Sequence, residues 1–269
     1  MTVPLNAPAT ASLLASPVVE LRQYTLKPGR RETLIDIFDS RFIEGQEHAG
    51  MTIIGQFRDL DRPDMFVWLR GFDGMEARKQ ALTAFYDGPV WTAHRDAANA
   101  TMIDSDDVLL LKAAWPGAGF DLSGAQRGAM PADGKPSADD GLTGVVVIQI
   151  HHLRSGAEAD FAGNFETDAV PVLIGAGGRL LGAFITEHAE NSFPRLPVRL
   201  SENVFIAVTG FNSPEAHASY EAAVAASPQW QAADVTWRTE TLRLTPTSQS
   251  LLGSARGQPK FILSDRPAA

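Results

Sequence analysis

The sequence predicts an α+β fold in which one βαββαβ unit occurs twice in tandem. The predicted order of strands and helices in residues 18–113 repeats in residues 142–246. Matching residues recur at two fixed separations: a first offset, which relates Gly29 to Gly156 and Gly55 to Gly182, and a longer second offset, which relates Gly71 to Gly210 and Trp91 to Trp230. The single change of offset places an insertion in the predicted hairpin 186–202 of the second unit, where loops tolerate extra residues.

The first unit alternates strand and helix patterns along the chain. Residues 18–26 form a predicted strand that ends at a Lys-Pro-Gly turn signal. Residues 30–48 carry apolar side chains at helical spacing, so one face of this helix is expected to be buried. The remaining predicted elements are strands over 51–57 and 65–72, a helix capped by Asp73, a second helical piece over 90–100 and a closing strand over 108–112.

The second unit repeats this order with local differences. Its predicted strands cover residues 145–153, 178–184, 204–211 and 242–244. Pro171 is expected to end or kink the helix over 158–174, because proline lacks a backbone donor. Outside the two units we expect a flexible leader over 1–17, an extended, surface-bound Gly/Pro-rich linker over 114–141 and a tail over 247–269, in which the apolar residues 261–263 dock.

Composition and charge exclude several classes of function. The chain has 269 residues, no cysteine and a formal net charge of −9 at pH 7, so disulfides and thiolate chemistry are excluded. It contains no run rich in Lys and Arg, so we expect no nucleic-acid partner. No apolar stretch approaches the ~18 residues of a membrane span, and the N-terminus lacks the basic start of a secretory signal. These features predict a cytoplasmic protein without a membrane or metal site.

The layers of the fold follow from strands that are apolar on both sides. In the first strand Val19 and Leu21 point one way, whereas Val18, Arg22 and Tyr24 point the other way. Helices cover one face of such a βαββαβ, or ferredoxin-like, sheet, and a second similar sheet is the expected cover of the other. Two sheets packed face to face predict a pseudo-dimeric α+β barrel with a cavity between them.

Parts of the first unit resemble the NIPSNAP family. The resemblance rests on ELRQYTLKPG at residues 20–29, the strand from Gly50 to Gly55, and FYDGPVWTAHRDAAN at residues 85–99. The second unit resembles the family more weakly, because Gln149 and His151 stand where Arg and Tyr are expected. The resemblance implies the dimeric α+β barrel superfamily, which includes cofactor-free monooxygenases, haem-handling enzymes, lactone isomerases and binding proteins. Membership of the NIPSNAP family implies no settled catalytic role.

Candidate catalytic residues are Arg22, Tyr24 and His94. Arg22 and Tyr24 share one face of a strand, where they either bind a carboxylate or enolate in a cavity or form a structural hydrogen-bonded pair. His94 either acts as a general acid or base, or ties down a loop. The candidate ligand-binding residues are Trp68, Arg70, Tyr86, Trp91, Arg95, Asn99 and His151.

The histidines and glycines of the second unit carry further alternatives. His151 and His152 are neighbours on a strand and point to opposite faces, so only one of them can face a cavity. A cavity-facing His151 either binds haem iron, as the superfamily resemblance allows, acts as a base, or is a hydrogen-bonded structural residue. We otherwise expect no cofactor. The glycines at 175–178 follow a helix and precede a strand, which is the reverse of a nucleotide-binding loop.

Two functions of different classes are consistent with these patterns. In the first, a cavity between the sheets binds a small apolar or aromatic metabolite, with cofactor-independent oxygenase or isomerase chemistry as one outcome. In the second, the barrel is filled by side chains and the chain is a non-enzymatic interaction or binding protein. The barrel interior distinguishes them, because an enzyme of this type needs an enclosed cavity. We also expect a homodimer of these pseudo-dimers.

Overall fold

The computed structural model describes residues 16–123, 125–127, 144–228, 230 and 238–252. They form a closed, eight-stranded antiparallel barrel with helices on its outside. The first half contains β1 (Val18–Leu26), α1 (Arg31–Ile37), a π-helical turn (Phe38–Phe42), α2 (Ile43–His48), β2 (Thr52–Asp59), β3 (Met65–Phe72), α3 (Met75–Tyr86), α4 (Pro89–Asn99) and β4 (Met102–Ala113). The second half contains β5 (Val145–His152), α5 (Glu158–Asn164), a π-helical turn (Phe165–Ala169), α6 (Val170–Gly175), β6 (Arg179–Thr186), β7 (Val204–Phe211), α7 (Pro214–Ala225) and β8 (Thr239–Pro246).

The two halves have the same strand order. Around the barrel the strands follow β1-β3-β2-β8-β5-β7-β6-β4, so the first half reads β4-β1-β3-β2 and the second half β8-β5-β7-β6. The halves join where β2 pairs with β8 and where β4 pairs with β6, through three residue pairs at each seam. The barrel therefore closes only when both halves are present.

The barrel interior is filled by apolar side chains. One buried cluster draws residues from all eight strands, which is possible only inside the barrel. Its members include Leu21, Phe57, Leu109, Ile148 and Phe184. The sequence analysis expected a cavity between the sheets, but in the described part of the chain this space is a hydrophobic core. The reason is that the inward positions of every strand are occupied by aliphatic and phenyl side chains, which fill the interior of a barrel of this size.

Two further cores lie between the outer surface of the barrel and the helices. The first combines β1–β4 with α1–α4, and the second combines β5–β7 with α5–α7. Each half contains a π-helical turn in its first helical segment, and Pro171 stands in the first turn of α6 directly after the second of these turns. The outward side chains of the strands, including Arg22 and Tyr24, therefore face the helices and not the opposite sheet.

Segments that follow β4 and β8 close the barrel in similar ways. Ala118 accepts a hydrogen bond from the amide of Ala183 on β6 (2.8 Å), and Phe120 enters the barrel core. At the other seam the amide of Leu252 donates to the carbonyl of Ile54 on β2 (3.0 Å). Ala118 and Phe120 are fully buried, so this part of the linker does not lie on the surface as expected. The leader up to residue 15, most of the linker and the apolar residues 261–263 lie outside the described residues.

The inserted hairpin of the second half lies over the first half. Phe193 packs into the core of the first half and stacks on Tyr86, with ring centroids 6.0 Å apart. Ser192 donates to the carbonyl of Met75 (3.0 Å), and Arg195 forms an ion pair with Asp87 (2.6 Å). The hairpin thereby covers the helical side of the first half. In the described ranges, no helix is long and apolar enough to cross a membrane.

Candidate functional site

Four positions of each half lie at the same points on the outer face of the barrel. Under the two offsets, the four positions hold Glu20, Arg22, Arg70 and Arg78 in the first half, and Val147, Gln149, Thr209 and His217 in the second half. Three positions lie on neighbouring strands and the fourth lies on the helix above them. The same location therefore has a different chemical character in each half.

In the first half, three arginines surround one glutamate. Glu20 accepts hydrogen bonds from Arg22 (2.8 Å), Arg70 (2.7 Å) and Arg78 (2.6 Å). All four side chains are at most 2 % exposed. Burial alone would raise the pKa of Glu20, but the guanidinium groups of Arg70, Arg22 and Arg78 outweigh burial and hold this pKa well below its usual range. The carboxylate is therefore ionised, and the cluster carries three positive charges against one negative charge.

Arg22 and Tyr24 form a hydrogen-bonded pair in this cluster. The Nε of Arg22 donates to the Tyr24 hydroxyl (3.0 Å), and the guanidinium carbon lies 5.4 Å from the centroids of both the Tyr24 and Trp68 rings. Burial raises the pKa of Tyr24, and this effect exceeds the opposing influence of Arg22. The Tyr24 hydroxyl is therefore protonated at neutral pH and supplies no negative charge.

A small cavity adjoins this pair beneath the helices of the first half. Its volume is about 30 Å³, which is the space of roughly one water molecule. Tyr24, Trp68, Tyr86 and Trp91 are among its lining residues, so the structure brings these four predicted residues together. A metabolite does not fit in this volume, and any ligand would have to displace the surrounding aromatic side chains.

The predicted residues of α4 lie at the edge of this cavity or outside it. His94 is partly exposed, and its ring centroid is 6.5 Å from that of Phe42. Arg95 and Asn99 are exposed, and Arg95 is 3.4 Å from its neighbour Asp96. Neither His94 nor these two residues lines the cavity described above. The structure therefore does not assemble His94, Arg22 and Tyr24 around a common open site.

His151 lies in the second half, apart from the first-half residues. Its Nδ1 is hydrogen-bonded with the Thr239 hydroxyl (3.0 Å), and three phenyl rings, those of Phe161, Phe165 and Phe205, surround it. Burial, followed by the neighbouring His152, lowers the pKa of His151 to about 4, so the ring is neutral. Haem iron needs an open face beside a ligating imidazole. The packed rings leave none, so the residues around His151 do not fit haem.

The second half has an open pocket where the first half has its ionic cluster. The pocket has a volume of about 290 Å³ and lies between the outer face of the sheet and α7. Its lining residues are Val147, Gln149, Thr209, His217, Tyr220, Glu221, Val224, Ala225, Trp230 and Thr241. The four residues that replace the ionic cluster are all among them. Their side chains are shorter than the arginines and glutamate of the first half, which leaves the space unfilled.

A second cause of the opening is the length of the hairpins. The inserted hairpin between β6 and β7 covers the first half, whereas the hairpin between β2 and β3 comprises only residues 60–64. This short hairpin reaches β8, where the Leu60 amide donates to the Arg243 carbonyl (2.8 Å) and Asp61 pairs with the Arg243 side chain. It is too short to cover the pocket as the longer hairpin covers the ionic cluster.

The polar groups in the pocket are mainly uncharged. Burial lowers the pKa of His217 despite the opposing effect of Glu221, whose carboxylate is 3.6 Å away. His217 is therefore neutral at pH 7, and one ring nitrogen can accept a hydrogen bond. Burial, followed by the charge of Glu221, raises the pKa of Tyr220 to about 12, so its hydroxyl is a donor as well as an acceptor. In the described residues, no group of three or more His, Asp or Glu side chains is placed to hold a metal ion.

The pocket residues cannot be recognised one at a time from the sequence. His217 and Thr209 carry no motif of their own. The signal was the second offset, which aligns His217 with Arg78 and Thr209 with Arg70. When this offset is applied residue by residue, it shows that the second half lacks the positive charges and the long side chains that the first half has at these positions. The first offset shows in the same way that Gln149 replaces Arg22.

Comparisons with known proteins agree with the sequence motifs and with the fold. A putative monooxygenase from Lactobacillus acidophilus has a TM-score of 0.51 at 10% identity, covering 86% of this chain and 94% of that chain. Another from Fusobacterium nucleatum has a TM-score of 0.53 at 7% identity, covering 91% and 99%. These likenesses establish the α+β barrel fold alone.

Other comparisons cover only part of the chain. An uncharacterized NIPSNAP-like domain protein from Burkholderia xenovorans is 22% identical, with a TM-score of 0.34, and covers 46% of this chain and 98% of that chain. No curated protein matches the chain. The family model of NIPSNAP matches residues 19–115, which confirms the resemblance of the first unit. Residues 19–115 are therefore similar to the NIPSNAP family, and they lie within an α+β barrel.

Proposed function

We propose that the protein binds a small, largely apolar molecule in the pocket of its second half. The observation that carries the proposal is the 290 Å³ pocket at the position where the first half holds a sealed ionic cluster. A concave site with apolar and aromatic walls and a few polar groups is the usual form of a small-molecule site. The volume is suited to a single substituted ring.

The lining supports an uncharged ligand. Val147, Val224, Tyr220 and Trp230 supply apolar and aromatic surface. Gln149, Thr209, Thr241 and neutral His217 offer hydrogen bonds, and the lining residues include neither Lys nor Arg. A carboxylate ligand would meet the negative charge of Glu221, and Arg243, the cation whose charge acts on His217, is already paired with Asp61. A phenol, an aromatic alcohol or an aromatic amide satisfies these conditions.

The strand order supports the proposal that the barrel is a tandem of two ferredoxin-like units. We propose unit boundaries of 18–113 and 142–246, with the first unit as scaffold and the second as ligand-binding unit. Assembly of two such chains into a homodimer is part of the same proposal, as is location in the cytoplasm. A catalytic role for Arg22, Tyr24 and His94 requires the first-half cavity to expand, because its present volume of about 30 Å³ admits no substrate.

The binding test uses two tryptophan substitutions on α7. Ala225→Trp places a large ring in the pocket lining, whereas Ala223→Trp places the same ring on the same helix outside the pocket lining, and both positions are exposed. Thermal unfolding is measured with phenol, benzyl alcohol, benzamide and benzoate. We expect the three neutral compounds to raise the Tm of the wild-type protein and of Ala223→Trp, with benzoate ineffective, and Ala225→Trp to lose the response. An unchanged response in Ala225→Trp contradicts the proposal.

A second candidate function adds chemistry in the same pocket, and the neutral His217 beside Glu221 favours it. A neutral imidazole beside a carboxylate can accept a proton from a bound phenol or hydroquinone, which is the first step of cofactor-independent oxygenation or isomerisation. Oxygen uptake with hydroquinones is the assay, and His217→Gln is expected to reduce it more than tenfold while leaving the ligand-induced Tm shift in place. Binding without oxygen uptake leaves the chain as a binding protein.

A further inference from the structure

We infer that the arginine cluster of the first half binds a small inorganic anion of the size of chloride. The inference is independent of the pocket in the second half. The cluster consists of Glu20, Arg22, Arg70 and Arg78, whose side chains are at most 2 % exposed. Arginine keeps its charge in proteins, so three cations face one carboxylate. An excess of two positive charges is therefore buried.

The other groups that contact the cluster are neutral. Arg70 donates to the amide oxygen of Gln46 (3.1 Å), and Arg78 donates to Asn191 (2.9 Å) and Ser192 (3.2 Å). Tyr24 is protonated, as argued above, and so brings no negative charge. None of these contacts compensates the charge excess. A buried ion without a counter-ion is strongly destabilising, and a bound anion removes this penalty.

The cluster also retains hydrogen-bond donors without acceptors. The Nη2 groups of Arg70 and Arg78 have no hydrogen-bond partner among the described protein groups, although both side chains are fully buried. The indole Nε1 of Trp68, whose ring lies 5.0 Å from the Arg70 guanidinium carbon, is also without a partner. Buried donors are nearly always satisfied in proteins, so donors left free next to excess positive charge indicate an acceptor that carries negative charge.

The surroundings limit the size of the anion. The inserted hairpin covers Arg78 through Asn191 and Ser192. The arginines themselves do not line the cavity of about 30 Å³, which reaches the cluster through Tyr24, the partner of Arg22, and through Gln46, the partner of Arg70. A monoatomic ion is compatible with this space, whereas a sugar acid is not. The second half supplies an internal comparison, because Gln149, Thr209 and His217 stand in place of the three arginines and no anion is expected there.

The test compares chloride with gluconate at equal sodium concentration. We expect the Tm of the wild-type chain to be about 5 °C lower in gluconate, as loss of a ligand at high saturation predicts. Arg78→Met removes one excess charge and one free donor, and is expected to abolish the difference. Arg195→Met removes an exposed arginine of the inserted hairpin; it is expected to retain the Tm difference and so corrects for general salt effects.

Diffraction from wild-type crystals grown in bromide decides the matter even if Arg78→Met does not fold. We expect an anomalous bromide peak within hydrogen-bond distance of the Nη2 groups of Arg70 and Arg78. Equal Tm values in chloride and gluconate, or bromide peaks confined to the protein surface, overturn the inference.

Discussion

Replacement of Glu20 by glutamine is the most informative perturbation of the first half. The substitution preserves the shape of the side chain but removes the only negative charge among three buried guanidinium groups. Loss of one partner from a buried ion pair costs about 3–5 kcal/mol, because the other charge is left uncompensated. Since Glu20 compensates three arginines, we expect a loss of at least ~3 kcal/mol. For a chain of this size, a loss in this range lowers the Tm by roughly 6–20 °C.

The effect of Glu20→Gln also depends on pH in a defined direction. The folded-state pKa of Glu20 is lowered, so its contribution to stability is complete above the ordinary pKa of about 4.5 and is lost as the pH falls below it. The difference in the free energy of unfolding between wild type and Glu20→Gln is therefore expected to be constant from pH 6 to 8 and to become smaller below pH 4.5. Addition of Arg78→Met to the Glu20→Gln variant is expected to recover part of the loss, because it removes one uncompensated charge.

Thermal and urea unfolding, followed by far-ultraviolet circular dichroism, measure these effects. Asp87→Asn is the control, because it removes one partner of the exposed ion pair with Arg195 and is expected to cost less than about 1 kcal/mol. A loss below about 1 kcal/mol for Glu20→Gln at pH 7 would refute the reasoning. The reasoning would also be refuted if the difference in the free energy of unfolding from wild type did not become smaller below pH 4.5.

Three further predictions test other parts of the structure. Burial raises the pKa of Asp39 to about 7, so ionisation of this carboxyl destabilises the fold as the pH rises from 4 to 7. In unfolding titrations, Asp39→Asn should therefore raise the free energy of unfolding by up to about 4 kcal/mol at pH 8 and have little effect near pH 3.5. A Cβ at Gly182 would lie 2.8 and 3.0 Å from two phenyl rings, so Gly182→Ala should lower the free energy of unfolding by about 1–3 kcal/mol. The control Gly163→Ala has open space around a helical position and should be neutral or stabilising in the same denaturant assay. Phe193→Ala should lower the free energy of unfolding by about 3 kcal/mol and speed proteolysis of the inserted hairpin. The control Leu200→Ala, at 75 % exposure in the same hairpin, should change it by less than about 0.5 kcal/mol. Equal effects of the two substitutions would contradict the covering role of Phe193.

The strands and helices of the fold could be predicted because their signals are local. The predicted strand 18–26 coincides with β1, and the glycines at 55 and 182, which share one offset, each follow a register shift in their strands. A bulge at the same point in both halves reflects the same need for a residue without a side chain at a crowded position. The site of the insertion was also predictable, because a change of offset locates it between β6 and β7.

Other features depended on tertiary contacts that the sequence does not state. Strand alternation assigns Arg22 and Tyr24 to one face but does not say whether helices or the opposite sheet cover that face. Both faces are apolar enough to be buried, so the pattern predicts the polar pair in the barrel interior, whereas the structure places it beneath the helices. The destination of the inserted hairpin was likewise unpredictable, because Phe193 contacts Tyr86, which lies in the other half of the chain.

The pocket of the second half could have been found in part from the sequence. The offsets align Arg22, Arg70 and Arg78 with Gln149, Thr209 and His217, and the loss of three long cationic side chains predicts both space and neutrality. Whether neighbouring side chains would fill that space depends on packing, which periodicity does not reveal. The structure supplies this information through the pocket of about 290 Å³.

A crystal soaked with benzyl alcohol tests the central claim most directly, because both halves are observed in one experiment. The account predicts ligand density in the second-half pocket against His217, Tyr220 and Trp230, with the arginine cluster of the first half unchanged. Density found only beneath the helices of the first half, next to Tyr24 and Trp91, would contradict it. An empty second-half pocket at concentrations that raise the Tm would contradict it equally.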